Sequence, residues 1–112
     1  MILKLYWKDL NDNIYILGEL YKTDDNFHFD INEEELKKAT HNGCFGIGEL
    51  NLLHKNHKKN TLFEFLKRRI PSREQENIED ILKELNMSEY DEMLLLEKTK
   101  GILDSDRYYL DK

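Results

Sequence analysis

The sequence predicts an α+β domain: an N-terminal antiparallel β-meander packed with a C-terminal group of about three helices. Three observations predict it. In the first third, apolar residues alternate with polar ones in short segments, the period of a strand with one buried face. In the second half they recur at three- and four-residue spacing, the period of a helix. The chain of 112 residues has no repeat, low-complexity tract or interior linker, so 1–112 reads as a single domain.

Ile2 to Trp7 makes the first strand, with Leu3, Leu5 and Trp7 on one face. The polar cluster Lys8 to Asn13 turns the chain. Ile14 to Tyr21 makes the second strand, and Gly18 inside it marks a bulge or a close backbone approach. After a polar turn at Lys22 to Asn26, Phe27, Phe29 and Ile31 alternate with His28 and Asp30 as a third strand. Short polar turns between the three make a meander. Asn32 is an N-cap, and Glu33, Glu34 and Glu35 suit the positive end of the helix that follows to about Thr40. Gly43 is the left-handed stop. Phe45 to Leu53 fits either a strand or an extended segment, and His54 to Asn60 reads as a basic polar loop.

Leu62, Phe65, Leu66 and Ile70 share one helix face, and Pro71 ends that helix. Ser72 with Gln75 forms a capping box for the next helix, whose stripe is Ile78, Ile81, Leu82 and Leu85. Ser88 with Asp91 opens a third helix carrying Tyr90, Met93, Leu94 and Leu96. Asp106 to Leu110 can return to the sheet as an edge strand.

Composition narrows the function. The chain is 39% hydrophobic and 36% charged, with a mean hydropathy of -0.76. Its apolar residues are clustered and 11% of it is aromatic, which fits a folded domain with a charged surface rather than a disordered chain. The lone Cys44 cannot form an internal disulfide. The N-terminus is too short and interrupted for a signal peptide, and no apolar run approaches a membrane span. The expected location is the cytoplasm.

No catalytic, cofactor or metal site is expected. Gly46 and Gly48 lack the third glycine or the Gly-Lys-Ser/Thr ending of a phosphate loop. His54 and His57, even with His41 and Cys44 nearby, read as a solvated loop rather than a zinc site. The many carboxylates fall at helix starts and outer faces. Charge is the informative feature. Residues 1–53 carry net -5, residues 54–73 net +6 and residues 74–112 net -7, for a total of -6. The basic segment holds Lys55, Lys58, Lys59, Lys67, Arg68, Arg69 and Arg73. It is either a solvated face or a docking patch for an acidic protein or phosphorylated group. A nucleic-acid patch lacks interleaved aromatics, and the whole-chain sign opposes it. The candidate partner-binding residues are His54, Lys55, His57, Lys58, Lys59, Arg68 and Arg69.

The order of features resembles a known family. The run Leu62 to Pro71 is similar to the proline-terminated helix in the N-terminal domain of HipA-type serine/threonine kinases. Ile78 to Leu85 follows at the family's distance, and Tyr90 to Gly101 resembles its next helix. Asp106 to Leu110 lies where that domain returns to its sheet, and Leu17-Gly-Glu-Leu20 matches its early Val-Gly-x-Leu strand. The stretch Ile47 to Leu53 departs from it, lacking the serine and proline the family often has there. The resemblance spans roughly Leu3 to Leu110 and includes nothing of the kinase core. It implies a stand-alone, HipS-like small subunit: a non-catalytic antitoxin that binds and restrains a separately encoded HipA-like kinase. A DNA-binding third component could join such an assembly. No membrane or small-molecule partner is expected. The alternative is a nucleic-acid-associated regulator, or an interaction module without a kinase partner.

Overall fold

The computed structural model describes residues 1–50 and 55–112. Its elements are β1 (Ile2–Lys8), β2 (Ile14–Thr23), β3 (Asn26–Ile31), α1 (Glu33–His41), β4 (Asn56–Lys59), α2 (Glu64–Lys67), α3 (Ile78–Glu84), α4 (Glu92–Thr99) and β5 (Tyr108–Asp111). The class is α+β. The five strands form one antiparallel sheet in the order β4-β3-β2-β1-β5, so the meander is flanked by one added strand on each side.

Alternation decides which face is buried. Leu3, Leu5 and Trp7 of β1 share a face with Leu20 of β2, Phe29 of β3 and Leu110 of β5, and all six are core residues. The helices cover this face. Leu36 and Ala39 of α1 join the core, Phe63 meets the Phe29 ring edge-on at 6.4 Å, and Phe65 meets Tyr108 at 5.0 Å. The opposite face carries Lys4, Tyr6, Glu19, Tyr21, His28 and Tyr109, all half-buried, with Tyr6 stacked on Tyr109 and Tyr21 on His28.

Gly18 does both things expected of it. The register slips between Leu5 and Tyr6, which pair with Gly18 and Ile16, so Leu17 is the extra residue of a β-bulge. Leu17 turns into the core with 0% exposure, and its carbonyl accepts the Asn32 N–H at 2.9 Å. A Cβ on Gly18 would lie 2.5 Å from the Asp30 carbonyl oxygen and 2.6 Å from the Phe29 ring.

Several local expectations are corrected. The basic loop is in part a strand: Asn56–Lys59 pairs with Asp30 to Phe27 of β3. The helix read from Leu62 to Ile70 is one α turn, although Leu62, Phe63, Phe65, Leu66 and Ile70 are all buried. Phe63 is extended at its start, and i→i−3 hydrogen bonds from Arg69 to Leu66 and from Ile70 to Lys67 tighten its end before Pro71. The capping box at Ser72 does not form. Ser72 bonds to Glu74 instead, and α3 begins at Ile78 behind Asn77 without a side-chain cap. The α3 stripe is half-buried rather than buried, and Met87 beyond it enters the core. In the last helix Asp91, not Ser88, is the cap, accepting the Leu94 N–H at 3.1 Å. Its buried residues are Met93, Leu95 and Leu96.

Asn32 caps α1 through the Glu35 N–H, Gly43 follows the helix at φ +107°, and β5 returns beside β1 as an edge strand. Ile47 and Leu50 are buried and bridge to each other, and the rest of that undecided stretch, Asn51 to Leu53, lies outside the described residues. No helix among the described residues is long and apolar enough to cross a membrane.

Candidate protein-docking edge

Among the described residues, β4 closes one side of the sheet and pairs only with β3. Its register is fixed by the Asn56 side-chain amide, which donates to the Asp30 carboxylate at 2.6 Å, and by the Ile31 N–H, which donates to the Lys55 carbonyl at 2.8 Å. Antiparallel ladders alternate hydrogen-bonded and non-hydrogen-bonded pairs. With Ile31 bonded to Lys55, the next bonded pairs are Phe29–His57 and Phe27–Lys59. The main-chain groups of Asn56 and Lys58 therefore face the open edge.

Around that edge the side chains of Lys55, Lys58 and Lys59 are exposed. Lysines on an edge strand deter strand pairing by unselected chains and favour an acidic one. His57 is half-buried, its ring 6.4 Å from Phe63 and edge-on to it, which holds β4 against the start of α2. Arg68 is exposed at the C-terminal cap of α2 beside exposed Lys67. Lys55, His57, Lys58 and Lys59 lie on or beside β4, Lys58 on the sheet face away from the helices, whereas Arg68 lies at the far end of α2, next to Arg69 and the approach to β5 on the opposite edge of the sheet. His54 lies outside the described residues.

Arg69 does not belong to this surface. Successive helical residues point about 100° apart. The turn that exposes Arg68 sends Arg69 inward, to 6% exposure. Its guanidinium packs against the rings of both Phe65 and Tyr108, at 4.7 and 4.9 Å. It donates to the Asp106 carboxylate at 2.5 and 3.2 Å and to the Gly101 carbonyl at 3.0 Å, while its Nε has no hydrogen-bond partner. It is a structural clamp between α2 and the approach to β5.

One cleft borders this edge and a second lies beyond the far end of α2. The first, of about 460 Å³, is lined by Glu19, Asp30, Glu33 and Glu34 with Lys55 at its border. Its acidity confines attraction for a negative partner to the edge itself. The other, of about 200 Å³, lies between Lys67, Arg73 and Tyr90. Arg73 stacks 4.7 Å over the Tyr90 ring, and the Tyr90 hydroxyl donates to the Pro71 carbonyl at 2.7 Å. Burial raises the pKa of Tyr90, so this hydroxyl stays protonated at neutral pH. The Ser72 hydroxyl donates to Glu74, and that bond lowers the Glu74 pKa. Tyr90 was not legible as part of this basic region, because it lies 17 residues beyond Arg73 and nothing local joins them. Among the described residues, no group of three or more His, Cys, Asp or Glu is placed to hold a metal ion. Comparisons with protein-family models, with curated proteins and with solved structures find no match to this chain.

Proposed function

We propose that the chain is a non-catalytic regulatory subunit that docks through the β4 edge, with Arg68 beyond it as a further basic contact, on an acidic surface of a separately encoded HipA-like serine/threonine kinase, and restrains it. The observation that carries the docking is the open, lysine-rich edge of β4 on a chain whose net charge is -6. An edge strand offers main-chain hydrogen bonds to an extended segment, and the lysines select an acidic one. The choice of a kinase partner rests on the order of sequence features from Leu17-Gly-Glu-Leu20 to Leu110.

The test is capture of partners by the tagged chain from its native cells, followed by titration of the recovered kinase with purified chain. A kinase recovered near one-to-one, with autophosphorylation lowered by the chain, is expected. The triple variant Lys58→Glu, Lys59→Glu, Arg68→Glu should weaken binding by about tenfold or more, as expected when charge contacts become repulsive. Recovery of no kinase would refute the partner. Unchanged affinity of the triple variant would refute the placement on β4.

A further inference from the structure

An antiparallel sheet packed on one face normally turns polar side chains to its other face. This sheet departs from that pattern. The outward positions of β1 and β2 include Ile2, Tyr6, Ile14, Ile16 and Tyr21, and Tyr109 of β5 stands beside Tyr6. Ile2 and Ile14 are 52% and 51% exposed. The bulge at Leu17 is what turns the isoleucines out. Beyond it the odd residues Glu19 and Tyr21 face outward, whereas before it the even residues Ile14 and Ile16 do. In an unbroken strand those two would point into the core. The rings are already ordered. Tyr6 stacks on Tyr109 with centroids 4.9 Å apart, and Tyr21 on His28 at 4.8 Å.

The charge of this face is balanced. Over β1, β2 and β3 it carries Lys4 and Lys8 against Glu19 and Asp30, and at its two margins Lys58 stands against Asp111. A neutral face on a chain of net -6 has nothing to select a partner of one sign. It suits a contact with itself. An isologous interface sets the same patch on both copies, so a one-signed patch would repel and a balanced one does not. Glu33 and Glu34 reach its border beside Lys55. The carboxylates of α3 and α4 lie on the helix side, across the core, and the screening length at 0.15 M ionic strength is about 8 Å.

We infer that this open sheet face packs on its counterpart in a second copy of the chain, the two sheets stacking face to face. Aligned sheets pack about 10 Å apart with their strands about 30° from parallel. Five strands about 4.8 Å apart, averaging about six residues at roughly 3.3 Å each, give a face of roughly 480 Å². Two such faces come to roughly 960 Å² before the relief of the side chains is counted, close to the roughly 1,200 Å² at which specific interfaces begin. That area fits a weak dimer with a dissociation constant on the order of 10–100 µM. Rings already stacked lose little freedom when covered, which favours the contact. The inference concerns the free chain and does not depend on the kinase reading. Stacking by faces leaves the outward main-chain groups of β4 free, so such a dimer carries two docking edges.

The test is sedimentation equilibrium of the purified chain from about 5 to about 500 µM, a range that brackets the expected constant, with an amide NMR dilution series over the same range. The mass is expected to rise from 13.5 kDa towards twice that value. Concentration-dependent shifts are expected at Lys4, Tyr6, Ile16 and Tyr21 and not in α3 or α4. The double variant Ile2→Lys, Ile14→Glu changes two side chains that are already half exposed and keeps the net charge. It should weaken the dimer by about tenfold or more, as expected when charges enter an apolar contact, with an unchanged thermal midpoint. If its midpoint falls, the wild-type shift map decides alone. A chain that stays at 13.5 kDa across the range overturns the inference. So does a dimer whose shifts are confined to the β4 edge or to the loop at exposed Phe45, or a folded double variant that associates like wild type. None of these results bears on capture of a kinase, which tests the proposed function separately.

Discussion

Arg69 and Asp9 show how single polar side chains hold this small fold. Arg69 spreads its cation over two rings and a carboxylate, so removing its partner strands a buried charge. Asp106 is the more exposed member, at 26% for its side chain against 3% for that of Arg69. Asp106→Ala should destabilise the chain by about 3 kcal/mol, the low end for breaking a buried pair, because water reaches the carboxylate side. Arg69→Met, which keeps the stem and removes the charge, should cost less than Asp106→Ala. Urea denaturation checks both, and the reverse order would mean that the ion pair itself, not the stranded charge, carries the effect. Asp9 organises the turn between β1 and β2. Its carboxylate accepts from the N–H groups of Asn11 and Asn13, the Asn13 amide and the Tyr15 hydroxyl. Burial pushes the Asp9 pKa up, but these bonds outweigh it and hold the carboxyl below its ordinary 3.8. A depressed carboxyl pKa stabilises the fold above the unfolded value, and that stability is lost as pH falls through the folded one. The gap in urea midpoint between wild type and Asp9→Asn should therefore be full at pH 6 and narrow as pH falls below about 4. A gap that does not narrow at all as pH falls below 4 would show that the carboxylate charge is not what the turn uses.

At the scale of elements, β2 and β4 hold the sharpest tests. Gly18 has no room for a methyl group, with the Asp30 carbonyl and the Phe29 ring in the way. Gly18→Ala should cost about 1–3 kcal/mol, the usual range for overpacking. In β4, the inward and outward main-chain groups can be separated by proline, which removes one N–H donor. Lys58→Pro deletes a donor that faces the open edge, so the thermal midpoint should fall by only about 4–8 °C, equivalent to roughly 1 kcal/mol. Lys59→Pro deletes one that faces Phe27 in the ladder and should cost more. If a partner strand adds to this edge, Lys58→Pro should weaken binding about 3- to 10-fold beyond Lys58→Ala, the worth of one main-chain hydrogen bond. Equal affinities would mean that only side chains touch the partner. These elements also show what sequence could and could not reveal. The strands β1 to β3 were legible because Leu3, Leu5, Phe27 and Phe29 alternate against water on the other face. β4 was not, because an edge strand of Asn-His-Lys-Lys buries almost nothing and owes its form to backbone bonds with β3. The α2 stretch is apolar at helical spacing, yet only one turn is α, since Phe63 and Phe65 are held by tertiary contacts on separate partners. Of the candidate docking residues, Arg69 was misplaced because charge alone cannot tell an exposed guanidinium from one packed against aromatic rings.

Over the whole molecule, the balance between the basic edge and the acidic remainder sets how an acidic partner would approach. The described chain measures about 41 × 32 × 21 Å. The screening length is about 30 Å at 0.01 M ionic strength and about 8 Å at 0.15 M. At the lower value an approaching partner feels most of the chain, whose net charge of -6 repels it. At the higher value it feels mainly what it is about to touch, the lysines of β4 and Arg68. Salt therefore removes long-range repulsion while leaving much of the short-range attraction. For the wild-type chain these trends oppose each other, and the association rate should change by less than about threefold between the two conditions. In the triple variant Lys58→Glu, Lys59→Glu, Arg68→Glu the local term has changed sign, and both contributions are repulsive. Its association should be slow at 0.01 M and should rise by about tenfold or more as salt is added. Stopped-flow association with the captured kinase measures both slopes. Parallel slopes for the two chains would show that the partner does not approach by way of the basic edge, whatever the final contact proves to be.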